Sequence, residues 1–257
     1  MTAWQQNLRR RFDRAAAGYD ALAQLQQQSA QRLLMALQPV LASSPKPLNI
    51  LDVGSGTGWL IKQLQAAQPS AWCCALDLSE GMLRSPSAGA NERVQRVCAD
   101  ASVLPMASSA FDRVVSKFAL HWCDDPLQVL NELHRVCVPG GQAFCVIPVS
   151  GSLSARGDTR TTGASLLPLA TWQHALAASP WTLRQADSET YEEFHDSPTA
   201  WLSTLRALGV TAQRPAASVN ALSPRQALQQ LHRRLESARE PAGIPLRYEV
   251  WRIHLQA

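Results

Sequence analysis

The stretch Asn49-Ile50-Leu51-Asp52-Val53-Gly54-Ser55-Gly56-Thr57-Gly58-Trp59-Leu60 constrains this chain more than any other. An apolar strand runs directly into glycines at alternate positions and then into a helix. Such a strand–turn–helix lets backbone approach a ligand closely and aims helix N–H groups at it, which suits a nucleotide-like ligand. The spacing narrows the choice. A dinucleotide fingerprint reads G-x-G-x-x-G over a pyrophosphate, whereas the glycines here fall at 54, 56 and 58, as G-x-G-x-G. That argues against NAD and FAD.

Around this turn, short apolar runs at 48–53, 71–76, 94–99, 111–116 and 142–148 alternate with helix-like segments, the signature of βαβ units and a parallel sheet. Pro139-Gly140-Gly141 reads as a stop for a helix over 126–138. Ahead of the sheet, residues 4–41 carry helical patterning through Leu33, Leu34, Leu37, Val40 and Leu41. Beyond Val149 the pattern weakens. Residues 151–165 read as a polar loop, helical patches follow at 166–178, 198–208 and 224–235, and 246–255 reads as a strand. The alternation of that strand changes phase at Val250 and Trp251, which predicts a bulge.

Composition removes whole classes. With 257 residues, 46% apolar and 17% charged, the chain suits one large domain or two small ones and excludes collagen, coiled coil and wholesale disorder. No apolar run reaches the roughly 18 residues of a membrane span, and the N-terminus lacks the apolar core of a secretory signal, so a cytoplasmic protein is expected. The six cysteines form no CxxC and are read as small buried hydrophobes in a reducing compartment, with no metal site expected. The net charge of +4 is diffuse, and no basic stripe interleaved with aromatics points to nucleic acid. The one local cluster is Arg9, Arg10, Arg11 and Arg14.

Acids recur where strands end. Asp77 closes the second apolar run and is placed to accept both ribose hydroxyls of a nucleoside. Asp100 closes the third and is placed to accept an adenine amino group between Leu78 and Ala101. Such acids suit a nucleoside without phosphates, since extra negative charge beside a pyrophosphate is unfavourable. Each acid alone could simply cap the helix after it; Asp52, Asp77 and Asp100 at consecutive turns of one sheet make that harder to hold.

The motifs LDVGSGTG, ALDLSEGML, CADASVLPM, FDRVVSKFALHW and HRVCVPGG, in that order over about residues 48–148, resemble those of the class I S-adenosylmethionine-dependent methyltransferases. The resemblance implies a Rossmann-like α/β fold with a seven-stranded mixed sheet, its last strand antiparallel, and S-adenosyl-L-methionine as cofactor. Carried onto this sequence, it implies a cofactor site at Asp52, Gly54, Ser55, Gly56, Gly58, Asp77, Leu78, Met82, Asp100, Ala101 and Lys117. Outside the core, Arg11-Phe12-Asp13-Arg14-Ala15-Ala16-Ala17-Gly18-Tyr19-Asp20, Gly151-Ser152-Leu153 and Ile244-Pro245-Leu246-Arg247-Tyr248 resemble the malonyl-acyl-carrier-protein O-methyltransferases of biotin synthesis. The polar stretch 154–160 and Lys117 depart from that pattern. The expected organisation is one methyltransferase domain: a helical lid over 1–45, a cofactor core over 46–150, and a substrate-side insertion with closing strands over 151–257.

The narrower resemblance implies methyl transfer to the free carboxylate of malonyl-acyl carrier protein, or of malonyl-CoA. A carboxylic acid with a pKa near 4 is already ionised at pH 7, so no general base is required. Tyr19, Arg14 and His121 are the candidates for positioning the acceptor, Arg14 as a bidentate cation. Lys117 is read toward either the cofactor carboxylate or the substrate. Two alternatives stay open: a same-fold methyltransferase acting on a quinone precursor or a free dicarboxylic acid, and a noncatalytic S-adenosylmethionine-binding protein.

Overall fold

Along β1 (Asn49–Val53), Ile50 and Leu51 point to opposite sides and both are fully buried, as are Val114 and Val115 on β4 (Phe111–Lys117). A strand that is apolar on both faces must be covered on both. One apolar layer joins Ile50, Val115 and Phe144 to Leu33 and Leu37 of α3 (Gln24–Ala42) and Leu60, Ile61 and Leu64 of α4 (Trp59–Ala67). The other joins Leu51, Val114 and Cys145 to Val129, Leu130 and Leu133 of α6 (Pro126–Val136) and Trp172 of α7 (Leu169–Ala178). In this computed structural model, residues 2–42, 44, 46–85, 91–155, 166–210 and 223–257 are described. The expected departure over 154–160 therefore falls mostly outside them.

The remaining strands are β2 (Trp72–Asp77), β3 (Val94–Cys98), β5 (Cys137–Pro148), β6 (Thr182–His195) and β7 (Ile244–Gln256). They build one seven-stranded sheet in the order β3-β2-β1-β4-β5-β7-β6. β1 to β5 run parallel, and β7 lies antiparallel between β5 and β6. The order reverses at β1, so the loops after β1, β2 and β4 open one crevice at the carboxyl ends of the strands, where α/β sheets bind ligands.

The region 4–41 is helical as expected, divided into α1 (Ala3–Ala15), α2 (Tyr19–Leu22) and α3 by breaks at Gly18 and Ala23, whereas other readings change. The helix read over 126–138 ends at Val136, and Pro139-Gly140-Gly141 lies inside β5, where Gly140 has a φ of 76° and the β4–β5 register shifts. β7 has no bulge, because its pairing with β5 runs unbroken from Gln142↔Gln256 to Pro148↔Val250. Its phase change marks a change of layer: Leu246, Tyr248 and Val250 join one apolar cluster, and Trp251, Ile253 and Leu255 the other. β6 was not legible as a strand. It is an edge strand in which only Tyr191 is buried, and its acids pair with β7: Arg252 Nε lies 2.7 Å from Asp187 Oδ1 and Arg252 Nη1 3.0 Å from Glu189 Oε2. Charged side chains of this kind protect a sheet edge and erase the apolar alternation.

The cysteines are free. Cys73, Cys74, Cys137 and Cys145 are buried as expected, whereas Cys123 is half-buried and Cys98 exposed. Among the described residues no cluster of metal-binding side chains occurs, and no helix is long and apolar enough to cross a membrane.

Candidate cofactor site

The glycine turn is held by β2. Gly54 N and Ser55 N donate to Leu76 O at 2.7 and 2.9 Å, so the turn folds back over the neighbouring strand's end. Gly54, Gly56 and Gly58 take φ values of 73°, 56° and 83°, the left-handed region that glycine enters without a steric penalty. Gly54 has a second constraint: a Cβ there would lie 2.0 Å from Ala119 Cβ. Gly58 then leads into α4.

Asp77 bridges two turns. Its carboxylate accepts from Gly56 N at 2.9 Å and from Ser79 N at 2.8 Å. Burial nevertheless pushes its pKa up to about 6, against those hydrogen bonds and with Asp13 adding repulsion. Asp100 accepts from Ser102 N at 2.9 Å and from Gln5 Nε2 of α1 at 2.6 Å. Asp52 is 1% exposed, and its Oδ2, like Ser55 Oγ, is buried without a hydrogen-bond partner among the described residues. Burial is the main cause that lifts the Asp52 carboxyl to about 7 and lowers the Lys117 ammonium to about 8, against the attraction between the two.

The N-terminal helices roof this crevice. Asp13 Oδ1 accepts from Ser79 Oγ at 2.6 Å and Gly81 N at 2.9 Å, fastening α1 to the turn that begins α5 (Glu80–Leu83). Thr57 Oγ1 donates to Asp20 Oδ1 at 2.5 Å, joining α2 to the glycine turn. The enclosed cavity has about 1050 Å³ of empty space, part of it open to solvent. It brings together Gly54, Ser55, Gly56, Asp77, Leu78, Met82, Asp100, Ala101, Lys117 and Tyr19. Tyr19 stays a neutral phenol, since burial, Asp77 and Asp20 all raise its pKa.

Gly58 and Asp52 shape the turn from behind this lining. His121 is buried but faces an adjoining chamber, its ring 4.6 Å from that of Trp122. Arg14 is exposed in the last turn of α1 and lines neither cavity. Gln5, Asp20 and Thr57 were missed. Asp20 follows Tyr19 in a motif already singled out, but nothing in the spacing signals that Gln5 reaches Asp100.

The cavity fits S-adenosylmethionine. Leu78, Met82, Ala99 and Ala101 line it as an apolar slot that would suit adenine beside Asp100, and the Asp77 carboxylate would accept the ribose hydroxyls. Ser55, whose Oγ has no hydrogen-bond partner among the described residues, lines the same cavity. If ionised Asp77 accepts the ribose, S-adenosylhomocysteine affinity is expected to fall by about tenfold between pH 7.5 and pH 5, because protonation below about 6 removes the acceptor. Calorimetry across that range checks it, and Asp77→Ala should flatten the profile.

Residues 51–145 match the family described as a methyltransferase domain. The fold is that of a crystallised methyltransferase from Bacillus halodurans C-125, with a TM-score of 0.62 and 18% identity over 86% of this chain and 97% of that one. It is also that of a geranyl diphosphate methyltransferase, with a TM-score of 0.62 and 12% identity over 100% of this chain and 99% of that one. Fold and cavity thus define a class I S-adenosylmethionine-dependent methyltransferase.

Sequence relatives narrow the class. A malonyl-[acyl-carrier protein] O-methyltransferase of Alcanivorax borkumensis is 32% identical over 93% of this chain and 82% of its own length. One of Erwinia pyrifoliae is 34% identical over 93% and 88%. The chain belongs to the malonyl-[acyl-carrier protein] O-methyltransferase family.

Proposed function

We infer that this enzyme methylates the free carboxylate of malonyl-acyl carrier protein, giving the methyl ester that primes pimelate formation for biotin. The observation that carries this reading is the extent of likeness: relatives bearing that name align over 93% of the chain, far beyond the methyltransferase core at 51–145. When bound, S-adenosylmethionine supplies a methyl group on a sulfonium cation, which an ionised acceptor carboxylate takes without giving up a proton.

The chain's own residues then bind, orient and exclude water. Asp77, Asp100 and the glycine turn hold the nucleoside end, and α1 and α2 close over it through Asp13, Gln5 and Asp20. Alignment in a closed site is worth on the order of 7 to 11 kcal/mol at its upper limit, so a catalytic dyad is not needed. On α1, Arg10 and Arg14 are exposed, whereas Arg9 lies 3.8 Å from both Asp13 and Glu80. Exposed arginines beside the site suit an acidic carrier protein, which they would steer electrostatically.

Rescue of a biotin-requiring strain that lacks its own malonyl-carrier methyltransferase tests the reading. Growth without biotin is expected. No growth with soluble, expressed protein would remove the malonyl assignment and leave a methyltransferase of the same fold acting on another small molecule.

A further inference from the structure

Beside the cofactor cavity lies a second, smaller and tighter chamber with about 310 Å³ of empty space, part of it open to solvent, lined by Gln26, His121, Leu153 and Tyr248 and sharing Phe12, Tyr19, Phe118 and Trp122 with the first as a common wall. Its backbone is unusual. Three non-glycine residues have positive φ among the described residues, and two of them, Phe118 at 54° and Leu153 at 56°, line this chamber. Both are locked by hydrogen bonds, Phe118 N to Val146 O at 2.9 Å and Leu153 N to Arg247 O at 2.8 Å. Left-handed bulky residues cost of order 1–3 kcal/mol each and collect at ligand-holding sites.

The strain has a visible result. Phe118 stands edge-on to the Tyr248 ring at 5.7 Å and lines both the chamber and the cofactor cavity. Tyr248 is 2% exposed and Gln26 of α3 is 3% exposed. Gln26 Nε2 donates to Tyr248 Oη at 3.3 Å. The hydroxyl hydrogen of Tyr248 is thereby left to donate, and it meets no acceptor among the described residues. Burial, Glu193 and Tyr19 all raise the pKa of this phenol, so it keeps that hydrogen at every working pH.

We propose that Tyr248, oriented by Gln26, donates a hydrogen bond to the acceptor carboxylate and fixes it across from the methyl donor, so that a buried neutral hydroxyl rather than Arg14 positions the substrate. The inference rests on the acyl-carboxylate reading above. Its chemistry favours a neutral donor. The carboxylate loses charge as it takes the methyl, so a guanidinium would stabilise the ground state more than the transition state and lower KM without raising kcat. A hydroxyl orients the oxygen and leaves its charge to the reaction.

The test is steady-state methyl transfer to malonyl-carrier protein together with S-adenosylhomocysteine calorimetry, on wild type, Tyr248→Phe, Gln26→Leu, the double variant and Arg14→Gln. Tyr248→Phe keeps the ring contact with Phe118 and should retain cofactor affinity while kcat/KM falls about 10- to 100-fold, the loss of one hydrogen bond to a charged group. Gln26→Leu should lose less, and should lose nothing further in the Tyr248→Phe background, which a merely structural role for Gln26 would not produce. Arg14→Gln, which removes only a charge that steers the carrier protein, should cost less of kcat/KM than Tyr248→Phe does. Wild-type kcat/KM in Tyr248→Phe with intact cofactor binding overturns the proposal, as do additive losses in the double variant. If Tyr248→Phe fails to fold, Gln26→Leu carries the decision: unchanged kcat/KM there overturns it. A wild-type enzyme without transfer to malonyl-carrier protein would instead overturn the function on which the proposal rests.

Discussion

Gly54→Ala should unfold the cofactor site, with a loss of stability of about 2 to 5 kcal/mol and of measurable cofactor binding. Two costs add. A φ of 73° asks an alanine for left-handed backbone, at about 1 to 2 kcal/mol. The new methyl would also sit 2.0 Å from Ala119 Cβ, so the chain leaving β4 must be pushed aside, an overpacking of about 1 to 3 kcal/mol. That push reaches the ligand directly, because Ala119 lines the cavity next to Lys117 and Phe118. Gly56→Ala provides the comparison. Gly56 shares the positive φ, at 56°, but a Cβ there meets nothing within 4 Å, so only the conformational cost of about 1 to 2 kcal/mol remains. Urea denaturation of both variants checks the difference; equal losses would mean that the contact with Ala119 is not what requires glycine.

Asp77→Ala should weaken S-adenosylhomocysteine binding about 10- to 150-fold, or roughly 1.5 to 3 kcal/mol, as charge-assisted bonds to the ribose are lost. Its carboxylate also accepts from Gly56 N and Ser79 N, so the substitution loosens the glycine turn as well as removing a ligand. The two effects separate by pH. If the ribose is held by the ionised carboxylate, wild-type affinity falls as the group protonates near 6 and the variant's does not. If Asp77 only braces the turn, the variant loses stability while its affinity per folded molecule is kept. Calorimetry paired with denaturation distinguishes these outcomes.

The cofactor half was legible because its physics is local. Gly54, Gly56 and Asp77 are required by backbone conformation and by the end of a strand, and both leave a mark in sequence order. The chamber proposed for the acceptor was not. Tyr248 and Gln26 are joined across a long sequence separation, and Tyr248 sits in an apolar strand where it reads as core, which it also is. Arg14 drew attention through its charge, yet the helix carries it to solvent. β6 was hidden for the opposite reason: an edge strand rich in Asp and Glu satisfies its charges against Arg247 and Arg252 of β7, and only the pairing reveals it. The supposed bulge at Val250 and Trp251 came from treating one strand as if it had one buried face, whereas this sheet is covered on both.

The reaction proposed for this enzyme is the S-adenosylmethionine-dependent esterification of a carrier-bound carboxylate. It is tested most directly by incubating the purified enzyme with methyl-labelled S-adenosylmethionine and, in separate reactions, malonyl-carrier protein, malonyl-CoA, free malonate and a quinol precursor. Label on malonyl-carrier protein that alkaline hydrolysis releases as methanol is the predicted result. Transfer to the quinol precursor alone, or cofactor binding with no turnover on any acceptor, would contradict it.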